Sequence, residues 1–90
     1  MKFQIPFLSW TGKAALEVEI DDDIEPHWRM NAAIQIAVRS GSNLRGANLH
    51  AANLRESNLS ESNLRESDLR GSDLRGSNLS GSDLSESDLR

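Results

Sequence analysis

The chain has no cysteine and no tyrosine, only two prolines, and aromatic residues at 4%. Without cysteine there is no disulfide frame, no thiolate nucleophile and no cysteine-based metal site. No apolar run approaches the roughly 20 residues that a membrane-crossing helix needs. The start, Met1 to Trp10, is interrupted by Gln4 and Pro6 and is too short for a secretory signal. His27 and His50 are far apart and have no partner at ligand spacing. Asp21-Asp22-Asp23-Ile24-Glu25 lacks the glycine and spacing of a calcium loop. The six glycines form no phosphate-cradling loop. Enzymatic chemistry is therefore not expected, and neither is a cofactor or a metal. The expected location is the cytoplasm of a bacterial host cell.

What the chain does have is a period of five. Leucine recurs at 44, 49, 54, 59, 64, 69, 74, 79, 84 and 89. The residue before each is Asn or Asp, and the one before that is Ala or Ser. The two residues after each leucine vary among Arg, Ser, Gly, Glu, Ala and one His. Five matches neither the helical period of about 3.6 nor the strand period of 2. A short fixed period means stacked units, each burying its apolar residue against its neighbours.

The tandem [AS]-[ND]-L-x-x copies from Ser42-Asn43-Leu44 to Ser87-Asp88-Leu89 resemble the pentapeptide-repeat family. The resemblance implies a mainly β fold, a right-handed quadrilateral β-helix with one pentapeptide per side and four per coil. In it the leucine and the small residue two before it point inward, and the other three positions face water. At that count the solenoid has about two and a half coils. Near 4.8 Å per coil it is roughly 12 Å tall. Leucines twenty apart should form columns: Leu44, Leu64 and Leu84; Leu49, Leu69 and Leu89; Leu54 and Leu74; Leu59 and Leu79. The small inward residue is serine in most repeats, and a buried hydroxyl must be hydrogen-bonded. These serines should therefore bond backbone carbonyls or one another. Asn and Asp should bond local backbone at the corners.

Residues 1–40 are built differently from residues 41–90. Phe3, Ile5 and Phe7 alternate with polar residues or proline and predict an edge strand. Trp10-Thr11-Gly12-Lys13 supplies a turn. Leu16, Val18 and Ile20 alternate with Glu17, Glu19 and Asp21, giving a second strand with one acidic face. A helix is expected from Pro26, in its first turn, to about Arg39, with Gly41 beyond its end. Only Gln35 is polar between Ala32 and Val38, so this helix should be covered on both sides. Hairpin and helix together are expected to cap the N-terminal end of the solenoid. The opposite coil edge is uncapped in the sequence, and unpaired edges invite pairing; a homodimer through the C-terminal coil is one expectation.

The net charge of −4 is uneven. Glu17, Glu19, Asp21, Asp22, Asp23 and Glu25 form an acidic stretch without a base. Alternate strand residues lie roughly 6.6–6.8 Å apart, close to two axial phosphate steps of about 3.4 Å on one DNA strand. These six are the candidate partner-binding residues, with Arg45, Arg65, Arg55, Arg75, Arg70 and Arg90 as secondary contacts. Direct nucleic-acid binding is disfavoured because no aromatic residues interleave the bases of the negative solenoid.

Characterised members of the resembled family include DNA-mimicking inhibitors of DNA gyrase. This solenoid spans only about a third of one 34–36 Å duplex turn. The size and acidity are also similar, more loosely, to phage-encoded anti-CRISPR proteins. The expected partner is thus a DNA-binding protein or complex of the host bacterium, a CRISPR effector ahead of gyrase. The rival expectation is a structural spacer or assembly module of a phage or surface fibre.

Overall fold

The computed structural model describes residues 1–90. Strand β1 (Lys2–Ile5) pairs antiparallel with β2 (Leu16–Glu19), Phe3 opposite Val18 and Ile5 opposite Leu16. This register sends Phe3, Ile5, Leu16 and Val18 to one face, where Ile5 is fully buried. The reversal is a 3-10 turn, Ser9–Thr11, ended by Gly12 at φ +67°.

Helix α1 (Arg29–Arg39) is shorter than the sequence pattern predicts. Pro26–Trp28 forms a separate 3-10 turn, and Trp28 at φ −104° interrupts the regular α geometry before Arg29. The end of α1 follows expectation. Gly41 sits at φ +74°, its N–H donates to the Val38 carbonyl, and the Ser42 N–H donates to that of Ala37. This pair of bonds is the Schellman arrangement, which needs a residue able to adopt a left-handed conformation.

From Leu44 onward the chain coils, and parallel bridges join residues twenty apart: Asn48 to Asp68, Asn53 to Asp73, Asn58 to Asn78, Asn63 to Asp83 and Asp68 to Asp88. Four pentapeptides therefore make one coil of a β-helix. On one side, Leu49 and Ala51 donate to the carbonyls of Asp68 and Arg70, and Asp68 donates back to that of Ala47. Each side is too short for more than a single bridge, so the regular strands of the molecule are β1 and β2.

The corners explain the period. In every repeat after the first the small residue donates its N–H to the carbonyl of the leucine three before it, as Ala47 does to Leu44 and Ser57 to Leu54. The residue just before the small one always has positive φ, as at Ala51, Glu56, Glu61, Glu66 and Glu86 and at the glycines that take the same place elsewhere. A positive φ at the third turn residue distinguishes type II turns. The expectation that both positions after leucine vary freely is thus corrected for the second, which holds only Gly, Ala or Glu. Asn or Asp closes each corner through Oδ1, which accepts the N–H two residues on, from Asn43 and Arg45 through to Asp88 and Arg90.

The core is one cluster shared by hairpin, helix and coil. Leu44 through Leu69 are buried, Leu74, Leu79 and Leu84 partly so, and Leu89 is half exposed. The inward serines meet their hydrogen-bonding requirement as expected. Ser57, Ser62 and Ser67 donate Oγ–H to the carbonyls of Leu54, Leu59 and Leu64 at 2.7 Å. Three positions expected to face water are buried instead, Gly46 beneath the hairpin turn among them. Asn53 lies under the 3-10 turn, donating to the His27 carbonyl at 3.3 Å, and Asp68 lies beneath the Arg70 side chain.

The cap works through the backbone. Pro6 accepts the Asn48 N–H, and the Leu8 N–H donates to the Gly46 carbonyl, both at 2.8 Å, so the chain beyond β1 pairs with one side of the first coil. On α1, Asn31 Nδ2 donates to the Arg55 carbonyl at 2.9 Å and Gln35 Oε1 accepts the Asn58 N–H at 3.3 Å. Asn31 also accepts from Gln35 at 2.6 Å. Buried amides are costly unless bonded; these two take the place of a missing coil.

A left-handed conformation costs an L-residue about 1–2 kcal/mol, against about 0.5–1 kcal/mol for the extra chain entropy of glycine. Glu56→Gly should therefore raise unfolding free energy by about 0.5–1 kcal/mol, and Glu56→Val should lower it. Urea denaturation reads both, and a stabilising valine would refute the corner geometry.

Candidate protein-binding surface

Two exposed surfaces carry the charge. On the hairpin, Glu17 and Glu19 project from β2 on the side opposite buried Val18, and Asp21, Asp22, Asp23 and Glu25 follow, all exposed. Part of this charge is met within the chain. Glu17 accepts from Gln4 Nε2 at 2.9 Å and pairs with Lys2 Nζ at 3.3 Å. The Met1 ammonium bonds Glu19 Oε2 at 2.7 Å, Asp22 Oδ1 at 2.6 Å and the Ile20 carbonyl at 2.8 Å. These bonds raise the ammonium pKa above its ordinary value of 8.0 and lower that of Asp22. Asp21 Oδ1 accepts the Asp23 N–H at 3.0 Å, a local turn bond that leaves its charge unpaired. Asp21, Asp23 and Glu25 have no cation partner, so the uncompensated charge gathers just past β2 rather than along it.

The second surface is the wall of the coil. Because the residue after leucine and the residue before it point out at the same corner, Asp and Arg two apart can grip each other. Asp68 binds Arg70 by two bonds, Nε at 3.0 Å and Nη2 at 2.8 Å; Asp73 with Arg75 and Asp88 with Arg90 repeat the fork. Neighbouring coils are linked too, Arg70 lying 3.7 Å from Asp88 and Arg55 3.8 Å from Asp73. Arg65 lies 3.7 Å from Asp83 and 3.8 Å from Glu86, and Arg45 Nε donates to Glu66 at 2.7 Å. All six arginines singled out as secondary contacts thus sit in internal ion pairs. The sequence pattern already held this signal, since three of the four Asp-Leu units are followed at once by Arg and the fourth by Ser.

The twenty-residue coil and its ten identical corner bonds put the repeats in register, and comparison with family models gives the same frame. The model described as pentapeptide repeats, in 8 copies, matches residues 40–71 and 52–90. The chain belongs to the pentapeptide-repeat family. Comparison with curated proteins and with solved structures returns no match. The family match covers the coil, whereas the acidic hairpin and its helix lie outside it. In this pentapeptide-repeat chain the family-defining residues are structural: leucine fills the core, serine and asparagine close the corners, and variation is confined to the outer wall. No helix of the chain is long and apolar enough to cross a membrane.

Residues that sequence reasoning passed over are Asn31, as a cap for the coil edge, and Trp10 with Lys13. The polar interruption at Asn31 gave a faint signal; the pocket beside Trp10 depends on a fold-back that no local pattern shows.

The forks set a pH dependence. Hydrogen bonds from Arg70 and Arg75 hold the carboxyls of Asp68 and Asp73 down at about 2, and Asp83 and Asp88 are lowered as well. A depressed carboxylate pKa contributes stability above its unfolded value, which is lost as pH falls through the folded one. The urea midpoint should hold from neutral pH to about 4 and drop between about 4 and 2. Asp68→Asn with Asp73→Asn keeps the corner bonds, as asparagine does elsewhere in the coil, and should flatten that drop. An unchanged drop would show that the forks do not contribute.

Proposed function

We propose that this pentapeptide-repeat chain is a non-enzymatic binding protein whose acidic hairpin imitates a short run of DNA backbone. In this reading it occupies the DNA-binding surface of a host nucleic-acid-handling complex, a CRISPR effector ahead of gyrase. The observation that carries the proposal is the group Asp21, Asp23 and Glu25, exposed, adjacent and without a cation partner, continuing the outward line of Glu17 and Glu19. A carboxylate already held by its own chain must give up that partner before it can bind another, whereas an unpaired one need not. The coil serves as a rigid base, read as four-sided and right-handed, and its six arginines are all paired on its wall, where Glu56 and Glu61 are the carboxylates left without a cation.

A second reading, as a spacer or assembly module, draws on the last coil. The N–H groups of Leu74, Gly76, Leu79, Gly81, Leu84 and Glu86 have no partner within the structure, and Leu89 is 53% exposed. Further coil of any origin, including a second copy, would satisfy them.

Capture from bacterial lysate separates the readings. The immobilised chain should retain DNA-binding proteins that duplex DNA and a rise in salt from about 50 to 200 mM release. Asp21→Asn, Asp23→Asn and Glu25→Gln together keep the turn bond and remove the charge, and should weaken retention at least about tenfold, a change of about 1.4 kcal/mol. Undiminished retention by that variant would overturn the mimicry. Growth in particle size with concentration, without salt-sensitive capture, would favour the spacer.

A further inference from the structure

A pocket of about 310 Å³ opens where the hairpin turn folds back on the first coil, lined by Trp10, Thr11, Lys13, Asn43 and Arg45. The turn can sit there because Gly46 has no side chain: a Cβ at that position would run into Thr11 Cγ2 and lie within 3.4 Å of the Trp10 indole. The indole is left 57% exposed, the most exposed large apolar side chain of the molecule.

The polar groups around the pocket are unequal in what they have left to offer. Thr11 Oγ1 is used in both directions, donating to the Leu8 carbonyl at 2.7 Å and accepting the Lys13 N–H at 3.1 Å. Asn43 Oδ1 accepts the Arg45 N–H at 3.0 Å and Asn63 Nδ2 at 3.1 Å. These bonds fix the amide orientation and leave Asn43 Nδ2 without a partner. Arg45 turns Nε and Nη2 to Glu66 and keeps Nη1 free. Lys13 Nζ has no carboxylate partner; it makes one long bond of 3.4 Å to the Arg45 carbonyl and stands 5.2 Å from the Phe7 ring centroid. Every polar side-chain group still free around the pocket is therefore a donor, two of them charged, and no carboxylate lines it.

A donor-only rim selects an acceptor-rich anion, and an exposed indole selects a flat ring beside it. The volume is at the lower end of the roughly 300–1,000 Å³ of small-molecule sites, enough for one ring-bearing phosphate and short of a strand. The net charge of −4 opposes anions only weakly at this range, because charges beyond about 8 Å are screened at physiological ionic strength. We propose that the pocket between the hairpin turn and the first coil binds a mononucleotide, its phosphate on Lys13 with Asn43 and Arg45, its base on Trp10. Lys13 carries the larger share, since Glu66 already compensates Arg45. This proposal uses none of the acidic residues and stands apart from the mimicry reading.

The test is titration of the full chain with AMP, adenosine and inorganic phosphate, read by tryptophan fluorescence and by amide shifts at Lys13 and Asn43. A Trp28→Phe background isolates the Trp10 signal. AMP should saturate, and adenosine and phosphate alone should each bind at least about tenfold more weakly. Lys13→Ala should weaken AMP about tenfold or more, and Trp10→Ala roughly five- to a hundredfold, the span of base–aromatic stacking. Both side chains are exposed, so the far-UV spectrum should not change. Failure of AMP to saturate, or affinity unchanged in either variant, would overturn the site. Phosphate binding as tightly as AMP, or a ten-nucleotide single strand binding more tightly, would overturn the mononucleotide assignment.

Discussion

Each corner of the coil turns through a residue with positive φ, and the architecture depends on that one backbone constraint. Once every fifth residue bends the chain, leucines fall twenty apart in columns and neighbouring coils meet with their carbonyls opposite N–H groups. The Asn or Asp before leucine then closes the corner through a side-chain oxygen, and the serine hydroxyl satisfies a carbonyl inside. Glutamate at several of these strained corners shows that stacking and corner bonds together outweigh a local cost of about 1–2 kcal/mol each. Where the first coil has Glu56 and Glu61, the second has Gly76 and Gly81, and the glutamate stems lie over the bare glycine backbone. The columns are thus matched outside the core as well as within it.

A stack of such coils has ends, and an end is a row of unmet hydrogen bonds. The first forty residues answer this at one end by two different means. The chain beyond β1 pairs as an extra strand against one side of the first coil, while the amides of α1 reach the backbone of two others. Packing supplies the rest, since Ile5, Ile34 and Leu44 belong to one core. The same arrangement pushes the acidic end of β2 outward and folds the hairpin turn back to make the Trp10 pocket. Cap and binding surfaces are consequences of one fold-back.

Much of this was legible in the sequence because the repeat states one rule ten times. The stacked leucines, the corner role of Asn and Asp and the two strands follow from spacing and residue type, while the inward, bonded serines follow from the family resemblance. The ends of elements were less legible. Pro26 started a turn rather than the helix itself, because Trp28 broke the geometry two residues later. The positive-φ position looked variable because glycine, alanine and glutamate share no obvious chemistry, only tolerance of one backbone conformation. Asn53 was read as solvent-facing because burial by the cap is non-local, whereas Asp68 is covered by Arg70 two residues on, a contact the Asp-Leu-Arg pattern already held. The acidic stretch was legible as composition, but its pairing was not. Only the fold brings the Met1 ammonium onto Glu19 and Asp22 and leaves Asp21, Asp23 and Glu25 free.

Amide hydrogen exchange, residue by residue in dilute native solution, tests the stacked-coil account most directly. The N–H groups of Leu49, Leu54, Leu59, Leu64 and Leu69 should be strongly protected, as should Asn48 and Asn58 beneath the cap, while those of Leu74, Leu79 and Leu84 exchange freely. Equal protection along all these leucines, or fast exchange at Asn48 and Asn58, would contradict it.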